Sequence, residues 1–573
     1  MKKLLIILGV ALIAVAVTLF VLLGRYTDRV IDPYVRSLLE HTKPMGHKIT
    51  YDKIRVNLFE GLIKLKEVRM YPDSSLTDHD LRFEVSVKDI ELTGFSIWKM
   101  LFHKNLIIDE FLIENPDIII TLPTSAEEVI EDVSGEEAPK KKSQLLTRIF
   151  LSRITLTEGT FKLLRSGAII ASSPNISLTA EEISLQKNSL DEPIGYTFGD
   201  YTITLDSIDV RNESGLYDIS LDKFQASKKE LYFVLTGFNI IPKYDKEAFS
   251  KKLPFQNDRF DVRIGEIIIT HNGLWHILKH EPLEITKLKI DSVDADIYRD
   301  KNVPFNYNRF PPFYSESFMK IPIPIIIDTV MVTNSRLTYG ELAEGKSIAG
   351  EIKLENFEMK VYNITNLVEQ DTAFNVMQFN IEAKVMGEGK LKAEITLPLE
   401  GDMHDFECSG SVGRMQLAPL NGMLEPSMNI TFNSGTVDRM TFAFTANDNV
   451  SRGWMEFLYS DLNVALLKKN PEKQWGFLSS LANTMALSNN PVDGKALKIV
   501  SVGYERDKNK GIINYIWKTI QSGMLHTILP TSKYQINKKE AQELNQQYRK
   551  QAKTQKKIDK QNAKTEQAKE KTK

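Results

Sequence analysis

The sequence predicts a mainly β fold, entered through one N-terminal transmembrane helix and closed by a C-terminal amphipathic helix and a basic tail. Three observations predict it. The chain opens on an uncharged run of twenty residues, most of the rest alternates apolar and polar residues, and one thirteen-residue pattern is written five times.

The opening run, Leu4 to Leu23, holds one threonine and no charge. As a helix it would span about 30 Å, the hydrocarbon thickness of a bilayer. Leu4, Leu12 and Leu23 mark its ends and middle, and residues 1–24 form the expected anchor. Lys2 and Lys3 precede the run and place the short tail in the cytoplasm by the positive-inside tendency, although Arg25, Arg29 and Arg36 follow it. The rival reading is a cleaved signal peptide. Ala14-Val15-Ala16 has the small-x-small form, but it lies inside the apolar run. A short helix from Tyr26 to Leu38 leads on from the anchor.

Beyond it the period is two, as in "YTITLDSIDV" (Tyr201–Val210) and "FNIEAKVMGEGKLKAEITLPL" (Phe379–Leu399). Such strands have one apolar face and are usually antiparallel. The repeat begins at Ile108, Leu151, Ile264, Ile285 and Ile327, with apolar residues at places one, four, six, eleven and thirteen. Turn formers such as "ENPD" and "TNSR" fill places seven to ten, so each copy is expected to be a hairpin corner showing both arms' apolar sides in one direction. That singles out Phe111, Ile113, Ile118 and Ile120 in the first copy, and Ile154, Leu156, Phe161 and Leu163 in the second. Ile267 and Ile269 come from the third, Leu288, Ile290 and Ile297 from the fourth, and Val330, Val332, Leu337 and Tyr339 from the fifth. The repeats belong either to hairpins of several sandwiches or to one long sheet built by adding hairpins.

The repeated-hairpin region is expected over residues 25–400, followed by a second β region over 401–505. Ser125–Gln144 carries six acidic residues and three lysines and reads as a solvated loop. Over 506–530, Ile512, Ile516, Ile520, Met524 and Ile528 fall at steps of four, with Trp517 beside them. This helix either caps the sheet or lies in a membrane interface. The tail, 531–573, has 13 Lys/Arg against 5 Asp/Glu and is expected to be disordered or loosely helical; it is either simply soluble or binds an acidic surface such as anionic head groups.

Catalytic patterns are missing. The sequence contains no nucleophile elbow, P-loop, H-E-x-x-H or cysteine pair, and Cys408 stands alone. His271 and His276 are five apart around a turn, a spacing that suits no metal site. No cofactor, metal or enzymatic activity is expected. A net charge of −2 implies no nucleic-acid partner.

With the anchor and repeats in view, the chain resembles the AsmA-like family of bacterial envelope proteins. The resemblance is carried by "YDKIRVNLFEGLIKLKEVRMYP" (Tyr51–Pro72), by the repeats, and by "LAPLNGML", "SGTVDRMTFAF" and "RGWMEFLYSDLNVALL" within Cys408–Leu467. It implies a long, curved antiparallel sheet forming an apolar trough, similar in architecture to chorein-type bridge-like lipid-transfer proteins. It also implies a single-pass inner-membrane protein with its body in the periplasm, whose partner is phospholipid. The C-terminal end would meet the outer membrane or an outer-membrane protein. The singled-out repeat residues would line the trough. Charges at Val332, Ile290 or Ile269 would then block lipid transfer, while changes at Thr333 or Asp291 would be tolerated. The alternative is an outer-membrane assembly or envelope-integrity factor acting through strand pairing.

Overall fold

The computed structural model describes residues 32–33, 35–36, 39, 46–57, 60–78, 80–94, 105–123, 148–186, 195–197, 199–229, 231–271, 282–321, 324–367, 376–399, 405–467 and 486–536. The expected anchor, the acidic loop and most of the basic tail lie outside them. No helix among the described residues is long and apolar enough to cross a membrane. The chain divides into two compact units, Met1–Phe238 and Asn239–Lys573.

Unit 1 holds β1 (His47–Thr50), β2 (Lys53–Asn57), β3 (Leu62–Pro72), β4 (Arg82–Thr93), β5 (Asn105–Glu114) and β6 (Asp117–Leu122). It continues with β7 (Arg148–Arg165), β8 (Ala168–Gln186), β9 (Gly195–Thr197), β10 (Asp200–Arg211) and β11 (Tyr217–Ser227); β12 (Tyr232–Pro242) spans the boundary. Unit 2 runs through α1 (Lys246–Lys251), β13 (Asp258–His271), β14 (Leu283–Asp300), α2 (Tyr314–Met319), β15 (Ile325–Leu342), β16 (Gly350–Thr365), β17 (Val376–Val385) and β18 (Gly389–Pro398). Then come β19 (Phe406–Val412), β20 (Met415–Gln416), α3 (Asn421–Met428), β21 (Ile430–Ala446), β22 (Val450–Leu466), β23 (Ile499–Glu505) and α4 (Ile512–Ile528).

The mainly β expectation holds; the purely antiparallel one does not. The described pairings are antiparallel except where β5 and β6 run parallel to β7 in unit 1 and β14 runs parallel to β15 in unit 2. The sheet is therefore mixed. Both parallel pairs join copies of the repeat.

The hairpin corners are a second correction. "ENPD" does not reverse the chain, because β5 and β6 both pair with β4 on one side and β7 on the other. In β7, β14 and β15 the turn formers lie inside single unbroken strands. The eighth place is left-handed in four of the five copies: Asn115, Glu158, Ser292 and Asn334 have φ between 50° and 60°. Register slips there, between Leu156 and Phe161 and between Val332 and Leu337. The four corners with a left-handed eighth place are thus β-bulges, and the third copy's corner runs beyond the described residues. One extra residue absorbs the odd step, so places four, six, eleven and thirteen still point the same way.

The largest core lies in unit 2, where Phe406, Phe442, Phe444, Met455, Phe457, Val500 and Val502 are buried beneath α4 and Phe313. Ile512, Tyr515, Thr519, Gly523 and Thr527 form the buried line of α4. A Cβ on Gly523 would lie 2.5 Å from Val502 Cγ1 and 2.8 Å from Met455 Sδ, so glycine is what lets the helix sit this low. Lys498 Nζ donates to the carbonyls of His526, Thr527 and Leu529 at 2.7, 3.3 and 2.6 Å, occupying acceptors that the helix end leaves open.

Candidate functional site

The site follows from reading the strand registers sideways. In unit 2, one row of directly paired side chains begins with the fourth-place Ile267 and the sixth-place Ile290 and Val332, followed by Met359 and Ile381, because β13 runs antiparallel to β14. It continues through Ala393, Gly410, Phe442, Met455 and Val500. A second row runs beside it: the sixth-place Ile269, the fourth-place Leu288 and Val330, Val361 and Phe379, then Ile395, Cys408, Phe444, Gly453 and Val502. Each row crosses ten strands without one charged or hydrogen-bonding side chain other than the Cys408 thiol. At the usual strand spacing, nine steps make about 43 Å.

The row between them, on the other face, reads Lys289, Met331, Lys360, Asn380, Glu394 and Ser409. Over β14–β19 one face is apolar and the other mostly polar, as period two allows, while the same outer row is apolar at Ile268, Ala443 and Trp454. The eleventh and thirteenth places widen the apolar face in β14 and β15, where Ala295 pairs Leu337 and Ile297 pairs Tyr339. Beyond them the strand ends carry charge. Arg299 bridges Asp258 at 2.6 Å and Lys301 bridges Glu341 at 2.6 Å. The Tyr339 hydroxyl donates to Glu341 at 3.1 Å, and burial raises its pKa above the ordinary tyrosine value.

Unit 1 repeats the arrangement. Its sixth-place row reads Ile54, Leu65, Ile90, Ile113, Leu156, Leu178, Ile203 and Ala226. The fourth-place row reads Val56, Ile63, Leu92, Phe111, Ile154, Ala180 and Tyr201. Ile118 pairs Phe161, and Ile120 pairs Leu163. Copies of the repeat therefore lie side by side, place for place. A like residue meets a like residue only because these two strands run parallel and both carry the bulge at the same height. At that height Asn115 N donates to Thr157 O at 3.0 Å, and Thr160 N to Pro116 O at 2.7 Å. Gly159 fits there because a Cβ would meet Ile176 and Pro116 below 3 Å.

Covering differs along the rows. At the start of unit 1, Val35 and Leu39 pack on the cluster of Tyr51, Ile54 and Val56. Arg36 holds this helical segment by donating to Tyr51 O at 3.1 Å and to Asp32 Oδ2 at 3.0 Å, which keeps the Asp32 carboxyl below its ordinary pKa. In β6 and β7, by contrast, Ile118, Ile120, Ile154, Leu156, Phe161 and Leu163 are all only half-buried. In unit 2 the covering helix α4 packs on β22 and β23. Toward β14–β17 the row members Ile290, Met359 and Ile381 are half-buried, while Val330, Val332 and Val361 between them are buried.

Every singled-out repeat residue thus falls in a described strand, and those of places four and six join into rows. The contributions of β16 to β18, such as Met359, Ile381 and Ile395, were not singled out. Their signal was the alternation of "FNIEAKV" itself, without a repeat to mark it. The stripe of α4 is turned inward: Ile516, Ile520, Met524 and Ile528 pack on the core, as does buried Ile512. Trp517 is half open to solvent. Thr333 and Asp291 are a further correction, since they are not passive outer positions. Asp291 accepts from Thr333, from Ser292 at 2.9 Å and from Asn334 at 2.9 Å, clamping the bulges of β14 and β15. The Thr333 hydrogen bond leads these in lowering the carboxyl pKa to about 2.

Chemically, the face offers hydrocarbon contact and little else. No group of His, Cys, Asp or Glu among the described residues is arranged to hold a metal ion. No protein-family model matches the chain, and no curated protein matches its sequence.

Proposed function

We propose that this chain is a membrane-anchored envelope protein of the AsmA-like kind that holds phospholipid acyl chains on the apolar face of its sheet and supports lipid transfer between the inner and outer membranes. The observation that carries the reading is the run of apolar rows in which Ile290, Met359 and Ile381 of β14, β16 and β17, and the paired residues of β6 and β7, stay half-buried, although Val330, Val332 and Val361 among them are buried. Removing a methylene from water is worth about 0.8 kcal/mol, so a lipid tail laid along such rows gains what an aqueous gap would cost it. The polar opposite face keeps the strands soluble, and the charged strand ends beside Tyr339 suit a head group kept at the rim. Leu4–Leu23 would hold the chain in the inner membrane, with the body in the periplasm.

The test is photo-crosslinking in cells with the reactive side chain at Ile290 or, as control, at Lys360 on the other face. Mass spectrometry of the adducts is expected to find phospholipid at Ile290 and none at Lys360. Adducts at Ile290 only to this chain's own residues would mean a closed core, and strand-pairing assembly would become the better account.

A further inference from the structure

The apolar side chains the rows do not use concentrate at one place in unit 2. Tyr307, Phe310, Ile513 and Trp517 are 74, 67, 61 and 41% exposed, and Tyr314 is also open. They belong to two segments, 301–320 and 506–518, which several contacts bind together. Asn509 Nδ2 donates to Tyr307 O at 2.7 Å and to Arg309 O at 3.1 Å. Phe313 and Tyr515 both pack edge-on against Phe406, at 6.0 and 5.7 Å between ring centroids. Arg506 lies 4.1 Å over the Phe313 ring, and Lys510 5.8 Å from the centroid of Phe305. Buried Phe313 is therefore the root of the loop, and the aromatic side chains on either side of it are left outside.

Five exposed residues of this kind cost solubility unless something uses them. Tyr and Trp suit a boundary where one end is apolar and the other wet. The charge around them is mostly positive: the two segments carry seven Lys/Arg against two Asp/Glu. Some of that charge is already paired, Arg506 and Lys508 with Asp448, Lys510 with Asp507, and Lys301 with Glu341. A positive excess remains after those acids are counted. A protein partner with an apolar pocket would not need the cations; a bilayer rich in anionic head groups uses both.

We propose that the surface formed by the 301–320 loop and the start of α4 docks on an anionic lipid bilayer, with Tyr307, Phe310 and Ile513 entering the head-group region and the surrounding Lys and Arg meeting lipid phosphates. The proposal rests on the lipid-carrier reading above and adds a second membrane contact to it, made by exposed residues near the closed end of the rows rather than by the N-terminal anchor.

The test uses the full chain, anchored through its own N-terminus in nanodiscs, and measures capture of a second population of vesicles containing phosphatidylglycerol. The wild type is expected to capture them, weakly at high salt and weakly with pure phosphatidylcholine. The triple variant Tyr307→Ser, Phe310→Ser, Ile513→Ser is expected to lose capture at least tenfold with an unchanged melting temperature, since these side chains already face water. Ile290→Asp, with the photo-reactive side chain moved to Ile381, is expected to capture vesicles normally while losing lipid adducts, which separates this surface from the rows. Equal capture by the triple variant, or no capture by the wild type, would overturn the docking surface and leave the lipid-carrier reading to its own test.

Discussion

The same two rows of side chains behave differently at their two ends within unit 2. Over β21–β23, Phe442, Met455 and Val500 are sealed under α4, with Met455 and Val500 fully buried. Over β14–β17, Ile290, Met359 and Ile381 remain half open, although Val330, Val332 and Val361 between them are buried. Composition follows the difference. The sealed end uses aromatic rings in edge contacts, Phe406 against Phe444 at 6.2 Å among them, and glycines at close approaches such as Gly453 against Phe444. The open end uses mainly aliphatic side chains, with Phe379 the aromatic exception. A jigsaw core needs exact neighbours, whereas a surface awaiting a mobile hydrocarbon needs only to be apolar. An apolar row thus specifies that something must cover it, and leaves open what does.

The largest expected effect breaks the sealed end. Met455→Asp places a carboxylate where no water and no partner reach, and should cost about 4 kcal/mol or more and unfold unit 2. Ile290→Asp, directly paired with Val332 in the same row, should cost far less, because half-buried Ile290 leaves its carboxylate a way to water. Thermal unfolding of the two variants measures the contrast, and equal losses would mean the open end is an ordinary core.

Gly523→Val sharpens the comparison by lifting the cover. The new side chain meets Val502 and Met455 inside contact distance, and overpacking of this sort costs about 1–3 kcal/mol. If α4 is what separates the two ends, Met455 in this variant should become accessible to oxidation by peroxide while the remaining sheet stays folded.

The smallest effect concerns the bulges that hold the open end in register. Asp291 has its carboxyl pKa lowered in the folded chain to about 2, below the unfolded value. Its contribution is therefore fully present above the unfolded pKa and fades as the pH falls from about 4 to about 2. Asp291→Asn should lower stability at neutral pH and flatten that part of the acid-unfolding curve. An unchanged curve would mean that the hydroxyl and amide partners add nothing to the clamp.

Much of this was legible beforehand, for a local reason. Alternation reports which side a residue faces, and it placed Phe111, Leu156, Leu288 and Val332 on one face whatever their strands pair with. The thirteen-residue pattern reported a fixed event at its centre, yet "ENPD" and "TNSR" suit a bulge as well as a turn. Asn tolerates left-handed φ in either setting, so residue types could not decide between them. Strand direction was illegible for the same reason: a parallel and an antiparallel neighbour ask for the same apolar face.

What the sequence by itself determined is the set of apolar places, their common direction and the amphipathic helix over Ile512–Ile528, because these depend on backbone periods of two and 3.6. Only the tertiary structure decided that copies 42 and 43 residues apart lie parallel and place for place, that α4 turns Ile516 and Met524 inward, and that its cover stops at one end of the rows. Those outcomes depend on which distant strand becomes a neighbour and how closely a helix can approach it, and no local period encodes either.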